Sequence, residues 1–339
     1  MKEAWLYDKQ DNHRVACRLC AHFCVIGDGK RGRCGVRENR GGVLYTLVYG
    51  HTIARNIDPI EKKPLFHFYP GSRSFSVATP GCNMHCHWCQ NAGISQVPAG
   101  LQLPVGDPFT PQQIVTAAAK GKCRSIAYTY TEPTIFFEYS HDIATCARDA
   151  GIANVFVSNG YMSEDMLQRA HSLLDAANID LKAFRDTTYR NYAGARLQPV
   201  LDSLKRIHDY GIWLEVTTLI IPGINDDPQE LRELTDFIVS ELGADTPWHV
   251  SRFYPQYKLQ QLPPTPVATI HQAVDIGRAA GLNYIYVGNL GSESDTRCPA
   301  CNALLIERTG YSLKRNRITE SSRCPDCGHP IAGVGMAGA

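Results

Sequence analysis

The chain has 339 residues, 44% of them hydrophobic and 20% charged, with a formal net charge of +1. That balance supplies a core for two domains or one large barrel, and it excludes a bulk field drawing the whole molecule to nucleic acid or an anionic membrane. The opening MKEAWLYDKQDNHR lacks the apolar run of a signal peptide, and no stretch approaches the roughly 18 apolar residues of a membrane span, so a cytoplasmic protein is expected. Of 13 cysteines, all but Cys123 and Cys146 fall in three local groups, at 17–34, 82–89 and 298–327. In a reducing compartment such grouping points to metal binding rather than disulfides.

Three regions follow along the chain: a cysteine-bearing N-terminal segment (1–70), a region of alternating strand and helix patterns (71–292), and a short C-terminal module (293–339). In the first, CRLCAHFCVIGDGKRGRC places Cys17, Cys20, Cys24 and Cys34 where they can close a four-thiolate site, with His22 as a spare ligand. A structural zinc is the favoured occupant, with an auxiliary iron–sulfur cluster and unligated or redox cysteines as alternatives.

The second region contains apolar runs that predict buried strands at 74–79, 125–130, 154–158, 177–181, 214–220, 248–253 and 284–287. Amphipathic helices fit between them. Thr110-Pro111 opens one with an N-cap and an N1 proline. Asp227-Pro228 opens another, with Glu230 placed for a capping box and Gly243 placed to end it in a left-handed conformation. This alternation predicts a parallel sheet, as a full or partial β/α barrel, with chemistry at the strands' C-terminal ends. In the loop after the first of these strands, Pro80-Gly81 precedes Cys82, Cys86 and Cys89, a Cys-x3-Cys-x2-Cys triplet. Three thiolates suit three irons of a cubane and leave the fourth iron open. A zinc site completed by His85 or His87 is the alternative.

In the third region, Cys298, Cys301, Cys324 and Cys327 form two Cys-x2-Cys knuckles, a signature of one tetrahedral site. Zinc is the first expectation and rubredoxin-type iron the second. Lys314, Arg315 and Arg317 between the knuckles are expected on a solvated hairpin face rather than on RNA. The closing GVGMAGA is expected to fray.

The segment PGCNMHCHWCQN resembles the signature of the radical S-adenosylmethionine (SAM) superfamily, and is most similar to the pyruvate formate-lyase activating enzyme group. The resemblance implies a partial (β/α) barrel of radical SAM type, a [4Fe-4S] cluster on Cys82, Cys86 and Cys89, and SAM as cofactor. It implies that Trp88 contacts adenine and that Glu132, in Thr-Tyr-Thr-Glu-Pro, accepts the amino group of SAM. The group has Gly-Gly where this chain has Tyr130-Thr131, so the local backbone is not presumed alike. Ser158-Asn159-Gly160 resembles the group's Thr-Asn-Gly turn, which implies that Ser158 and Asn159 help bind SAM. Asp180-Leu181-Lys182 resembles its Asp-Leu-Lys motif, which implies contacts from Asp180 and Lys182 to the methionine moiety. Thr217 and His249 align with segments that line the SAM ribose and carboxylate. Val157 replaces an aspartate that helps hold a monovalent cation in activating enzymes.

The N-terminal cysteines, the 57–72 stretch IDPIEKKPLFHFYPGS and the central triplet together resemble the radical SAM member of the AmmeMemoRadiSam system. Over residues 15–292 this implies an oxidoreductase that forms a 5′-deoxyadenosyl radical. Its partners would be a reductant such as flavodoxin or ferredoxin, a possible protein substrate, and Memo-like or AMMECR-like proteins. An electron-transfer iron–sulfur protein and a non-catalytic zinc scaffold binding RNA or a protein are the competing expectations.

Overall fold

The apolar runs become strands of one eight-stranded sheet in a computed structural model that describes residues 1–98, 100–291 and 294–337. The strands are β1 (Ala54–Pro59), β2 (Arg73–Ala78), β3 (Ser125–Tyr128), β4 (Ala153–Ser158), β5 (Ala176–Asp180), β6 (Trp213–Ile220), β7 (Trp248–Arg252) and β8 (Ile285–Gly288). They lie side by side in chain order. β2 to β8 are parallel, and β1 runs antiparallel along β2. Among the described residues β1 and β8 do not pair with each other, so the barrel is partial.

One helix returns the chain between each pair of parallel strands: α1 (Pro111–Lys120), α2 (Phe137–Asp149), α3 (Glu164–Ala170), α4 (Gln198–Asp209), α5 (Pro228–Phe237) and α6 (Val267–Ala280). Thr110 caps α1 through a full capping box with Gln113. Asp227 caps α5 through the N–H groups of Gln229 and Glu230, but the expected box does not close. The Glu230 carboxylate instead accepts the Phe184 N–H at 2.6 Å, tying α5 to the loop after β5. A π-helical turn (Ile238–Leu242) extends α5, and Gly243 follows at φ 93°, ψ 150°, a region reserved for glycine but not the left-handed helical one expected. Leu231, Leu234, Ile238 and Leu242 are all buried, each stabilising the fold by about 1.5–3 kcal/mol.

Alternation along the strands separates two surfaces. One row, including Phe75, Ile126, Phe156, Ile179 and Val216, packs in the main core with helical residues. The opposite row contains Ala127, Val155 and Ala176, which pack with Ile60, Leu65 and Phe68. Residues 60–68 therefore fill part of the barrel interior. Asn178 reaches the Pro64 carbonyl at 2.7 Å, and Glu215 accepts the N–H groups of Phe66 and His67 at 3.0 and 2.8 Å.

The N-terminal region forms two small three-stranded antiparallel sheets. A buried ion pair anchors it to α2, with Arg37 Nη2 2.7 Å from Glu138 Oε1. In the C-terminal region a short strand (Thr296–Arg297) and a hairpin (Leu304–Thr309, Ser312–Asn316) form a third small sheet. Arg308 anchors it, donating to the Phe66 carbonyl at 2.9 Å and lying 3.4 Å from Glu61, with both charged side chains fully buried. The boundary expected at 292/293 falls on residues outside those described.

Of the closing run, residues 333–337 do not fray, and 338–339 lie outside the described residues. Val334 bonds His67 and Tyr69 through backbone contacts of 2.8 Å each, and Met336 is fully buried. The glycines make this close approach possible. A Cβ at Gly335 would stand 2.2 Å from the Tyr69 ring, and one at Gly333 would stand 2.6 Å from the His67 carbonyl.

Candidate active site

The loop after β2 leaves the sheet through Gly81, at φ 104°, where a Cβ would meet Val36 at 2.7 Å and the Cys34 carbonyl at 3.0 Å. The glycine thus lets the N-terminal region press against the Cys82 loop. Backbone bonds fix the loop on its other side: His85 to Ala193, His87 to Tyr192, and Lys258 to His87, each at 2.9 Å. Gln96, the residue that ends a helical turn (Ala92–Ser95), clamps it, bonding the Met84 carbonyl at 3.2 Å and His85 Nδ1 at 2.6 Å. His85, one of the two alternative zinc ligands, is thereby engaged through Nδ1. Trp88 is buried, its ring 6.3 Å from that of Tyr192.

Cys86 is buried, and Cys82 and Cys89 are half-buried. Burial pushes the Cys82 thiol well up and the Cys86 thiol to about 11, although Lys182 pulls the latter down. Such thiols need a bound cation to ionise near neutrality. A single zinc does not suit the triplet. Zn–S bonds of about 2.3 Å place tetrahedral sulfurs about 3.8 Å apart. Among the described residues, Cys298, Cys301, Cys324 and Cys327 form the only group of three or more such ligands with all donor atoms within 4.8 Å of one another. The wider triplet fits a cluster with several irons, one for each thiolate.

Glu132 follows β3 and is fully buried. Oε1 accepts from Thr134 N at 3.0 Å, Thr134 Oγ1 at 2.6 Å and Ser158 Oγ at 2.7 Å, while Oε2 accepts from Asn159 N at 2.9 Å. Burial raises its carboxyl above the usual range, and these donors, the Asn159 N–H foremost, work against that shift. The Asn159 amide joins this network to the cysteine loop, 2.8 Å from Asn83 Oδ1 and 3.6 Å from Cys82 Sγ. Tyr130 stands where the resembling group has glycine, and it keeps a glycine-like backbone at φ 67°. Its carbonyl accepts from the Asn91 amide, and its hydroxyl bonds Asp58, which offsets the roughly 1–3 kcal/mol cost of that conformation.

On the next strands, Lys182 Nζ lies 2.8 Å from Asp180 Oδ2. Burial opposes the Lys182 charge, but Asp180 and Cys86 hold its ammonium well above the usual lysine range. Asp180, Lys182 and Cys86 therefore share one electrostatic neighbourhood. Thr217 and His249 sit deeper. Thr217 Oγ1 donates to Asn178 at 2.9 Å, and His249 Nε2 is 2.6 Å from Glu215. The His249 ring stacks on Tyr286 and meets Phe66 edge-on. Thr217 and His249 thus share hydrogen bonds with the interior, apart from the Cys82–Glu132 network.

A second polar group escaped the sequence reading. Lys63, Ser76 and the Tyr130 hydroxyl converge on Asp58, with Lys63 at 2.7 Å and Ser76 at 2.8 Å. Burial lowers the Lys63 ammonium to about 8 against the pull of Asp58. Asp58 and Lys63 lie in the IDPIEKKP stretch, but nothing in its pattern shows that both are buried. Asn83 and Gln96 were also missed, because polar residues beside a cysteine motif carry no sign of which backbone they clamp.

In the C-terminal quartet the sulfurs of Cys298 and Cys327 are 3.6 Å apart and those of Cys301 and Cys324 3.7 Å apart, the spacing of one tetrahedral ion. Lys314 and Arg315 are exposed on the hairpin, and Arg317 braces the second knuckle through Asp326 at 2.5 Å. Among the described residues no helix is long and apolar enough to cross a membrane.

Residues 76–238 match the family model of the radical SAM superfamily. An uncharacterised protein of Methanocaldococcus jannaschii is 45% identical over 334 residues, covering 98% of this chain and 99% of that protein. A pyruvate formate-lyase-activating enzyme of Listeria monocytogenes is 22% identical over 175 residues, covering 50% of this chain and 70% of that enzyme. A solved radical SAM methyltransferase from Sphaerobacter thermophilus shares the fold at a TM-score of 0.51 and 16% identity, covering 70% of this chain and 71% of that one.

Proposed function

This chain belongs to the radical SAM superfamily, with pyruvate formate-lyase-activating enzymes among its relatives, and from that premise we propose that it cleaves SAM reductively to start a hydrogen abstraction. The cluster and SAM, when bound, supply one-electron cleavage of the C5′–S bond, giving methionine and a 5′-deoxyadenosyl radical. The chain binds, orients and excludes water. Cys82, Cys86 and Cys89 would hold the cluster, and with three thiolates for four irons they would leave a position open to SAM. Glu132 accepts the amino group, with its carboxylate held by Ser158 and Asn159. Trp88 packs against adenine, Asp180 and Lys182 face the methionine moiety, and Thr217 and His249 complete the ribose and carboxylate side.

The observation that carries this reading is the double role of Asn159. Its backbone N–H bonds Glu132 at 2.9 Å while its side-chain amide lies 3.6 Å from Cys82 Sγ, so one residue ties the cluster loop to a buried carboxylate. Activating-enzyme-like modification of a protein substrate is the finer role, with a flavodoxin- or ferredoxin-type reductant in the cytoplasm. The 57–72 stretch supports kinship with the AmmeMemoRadiSam enzyme and hence Memo-like or AMMECR-like partners. Zinc in the C-terminal quartet would be structural, because four thiolates leave no open position.

The test is anaerobic reconstitution, reduction and EPR with and without SAM. The reading expects a [4Fe-4S]+ signal that shifts on adding SAM, together with released 5′-deoxyadenosine. A signal no part of which responds to SAM, with no 5′-deoxyadenosine released, would instead point to electron transfer, and a fully reconstituted sample without iron would point to a zinc scaffold.

A further inference from the structure

The N-terminal cysteines form a group of their own beside the Cys82 loop, and their geometry differs from that of the C-terminal quartet. Cys17, Cys20, Cys24 and Cys34 all line one small cavity of about 20 Å³. No three of their sulfurs come within 4.8 Å of one another, whereas all four C-terminal sulfurs do. A closed zinc site draws four sulfurs to about 3.8 Å and leaves no void between them. The N-terminal sulfurs surround a space instead, and apolar Leu19, Ile26 and Ile135 complete its lining.

A second observation comes from the charge in the wall. Arg37 lines the same cavity and is 1% exposed. Its two terminal nitrogens are used, on Glu138 at 3.0 and 2.7 Å and on the Trp5 carbonyl at 2.9 Å. Its Nε–H is buried without a partner. A buried charged donor left without a partner costs about 1–3 kcal/mol or more unless something beside it accepts it. Four thiolates around an iron–sulfur core carry net negative charge and present sulfur acceptors, which a guanidinium would both neutralise and hydrogen-bond.

We infer that Cys17, Cys20, Cys24 and Cys34 hold a second iron–sulfur cluster, of the four-thiolate [4Fe-4S] type, with Arg37 donating to it. All four irons have protein ligands, so this cluster does not bind SAM. It shares a wall with the first site, because Asn83, the neighbour of Cys82, lines the cavity and its carbonyl lies 2.7 Å from His22 Nε2. The inference goes beyond the proposed function and does not depend on it.

The experiment is metal and sulfide analysis with EPR on the anaerobically reconstituted full chain and on a Cys82→Ala, Cys86→Ala, Cys89→Ala variant. Expected are about eight irons per chain in the parent and about four in the variant, whose remaining reduced signal ignores SAM. Adding Cys20→Ser and Cys34→Ser should remove that signal. Arg37→Lys should keep the iron and lower the residual cluster's reduction potential, since one hydrogen bond to sulfur is removed. About four irons in the parent, all absent from the triple variant, with two zinc ions per chain, would overturn the inference and leave the SAM reading standing. About four irons kept in both proteins would sink the SAM reading instead. Should the triple variant not fold, the iron-to-zinc ratio of the parent and of Cys20→Ser decides alone.

Discussion

The two flanking cysteine modules dock on the barrel by the same device and present their sulfurs differently. Each is anchored by a buried arginine on a buried glutamate, Arg37 on Glu138 and Arg308 on Glu61. Yet the C-terminal sulfurs close to 3.6 and 3.7 Å on partly exposed loops, while the N-terminal ones surround a cavity beside the Cys82 loop. The difference teaches that cysteine count does not define a site. Two tight Cys-x2-Cys knuckles on a hairpin preorganise one ion, whereas unequal spacings across several short strands hold four sulfurs wider apart around one small cavity.

Removing ligands from each group should give the sharpest contrast. Cys86→Ala should abolish 5′-deoxyadenosine release, because the thiolate set of the central cluster is incomplete. Cys301→Ser with Cys327→Ser should release the C-terminal metal and lower the melting temperature, yet keep the SAM-dependent EPR shift. Equal loss of that shift in both variants would show that the ribbon is no mere structural appendage.

The docks come next. Arg308→Met strands Glu61 in the interior, so stability should fall by about 3–5 kcal/mol, measured by denaturant unfolding of the metal-loaded chain. An unchanged midpoint would mean that Val334 and Met336 hold the module without the arginine.

Acid should act on the C-terminal dock through His67, whose ring bonds the Ala332 carbonyl and lies against Tyr286. Burial lowers its folded pKa from 6.5 to about 4, against the pull of Glu215. The unfolded chain then binds the extra proton between these values, so stability is full above about pH 6.5 and is lost as pH falls towards 4. At about 1.4 kcal/mol per pKa unit the loss approaches ~3 kcal/mol. His67→Gln should flatten this part of the stability–pH curve.

Within the barrel the expected effect is smaller. Glu132→Gln keeps the shape but removes the charge and sets an amide against the Asn159 or Ser158 donor. A charged hydrogen bond contributes about 1.5–3 kcal/mol, so SAM cleavage should fall roughly 10- to 100-fold in kcat/KM with the iron content unchanged. Unaltered turnover would remove Glu132 from the proposed SAM contacts.

The same contrast shows what could be read in the sequence. The seven parallel strands and the α1 and α5 caps were visible because each depends on neighbouring residues: an apolar run, or Thr-Pro and Asp-Pro before a helical period. β1 was not, because ARNIDP is polar, ends in proline and pairs antiparallel at the sheet edge. The N-terminal sheets, with strands of two to four residues, are too short to show periodicity. Glu230 had the right position for a capping box, but a backbone N–H 46 residues away took its carboxylate. The tail's glycines suggested disorder, although their function is close approach to Tyr69 and His67. At the site, the motif positions came from resemblance. The residues that orient them, Asn83, Asp58 and Lys63, act through distant contacts that no local pattern encodes.

The weakest expected effect tests the hairpin between the C-terminal knuckles. Lys314 and Arg315 are exposed and form none of the ion pairs found among the described residues. Their joint replacement by alanine should therefore change stability by no more than about 0.5 kcal/mol. It should also leave SAM cleavage unaltered, because both residues belong to the ribbon and not to the barrel. A scaffold that binds RNA through this face would behave otherwise. Its affinity would fall with added salt, and the double variant would lower the slope of that dependence by about two, one for each phosphate no longer neutralised. Titrating labelled RNA at two salt concentrations separates the cases, and a flat response identifies the basic run as the solvated outer strand of a structural metal module.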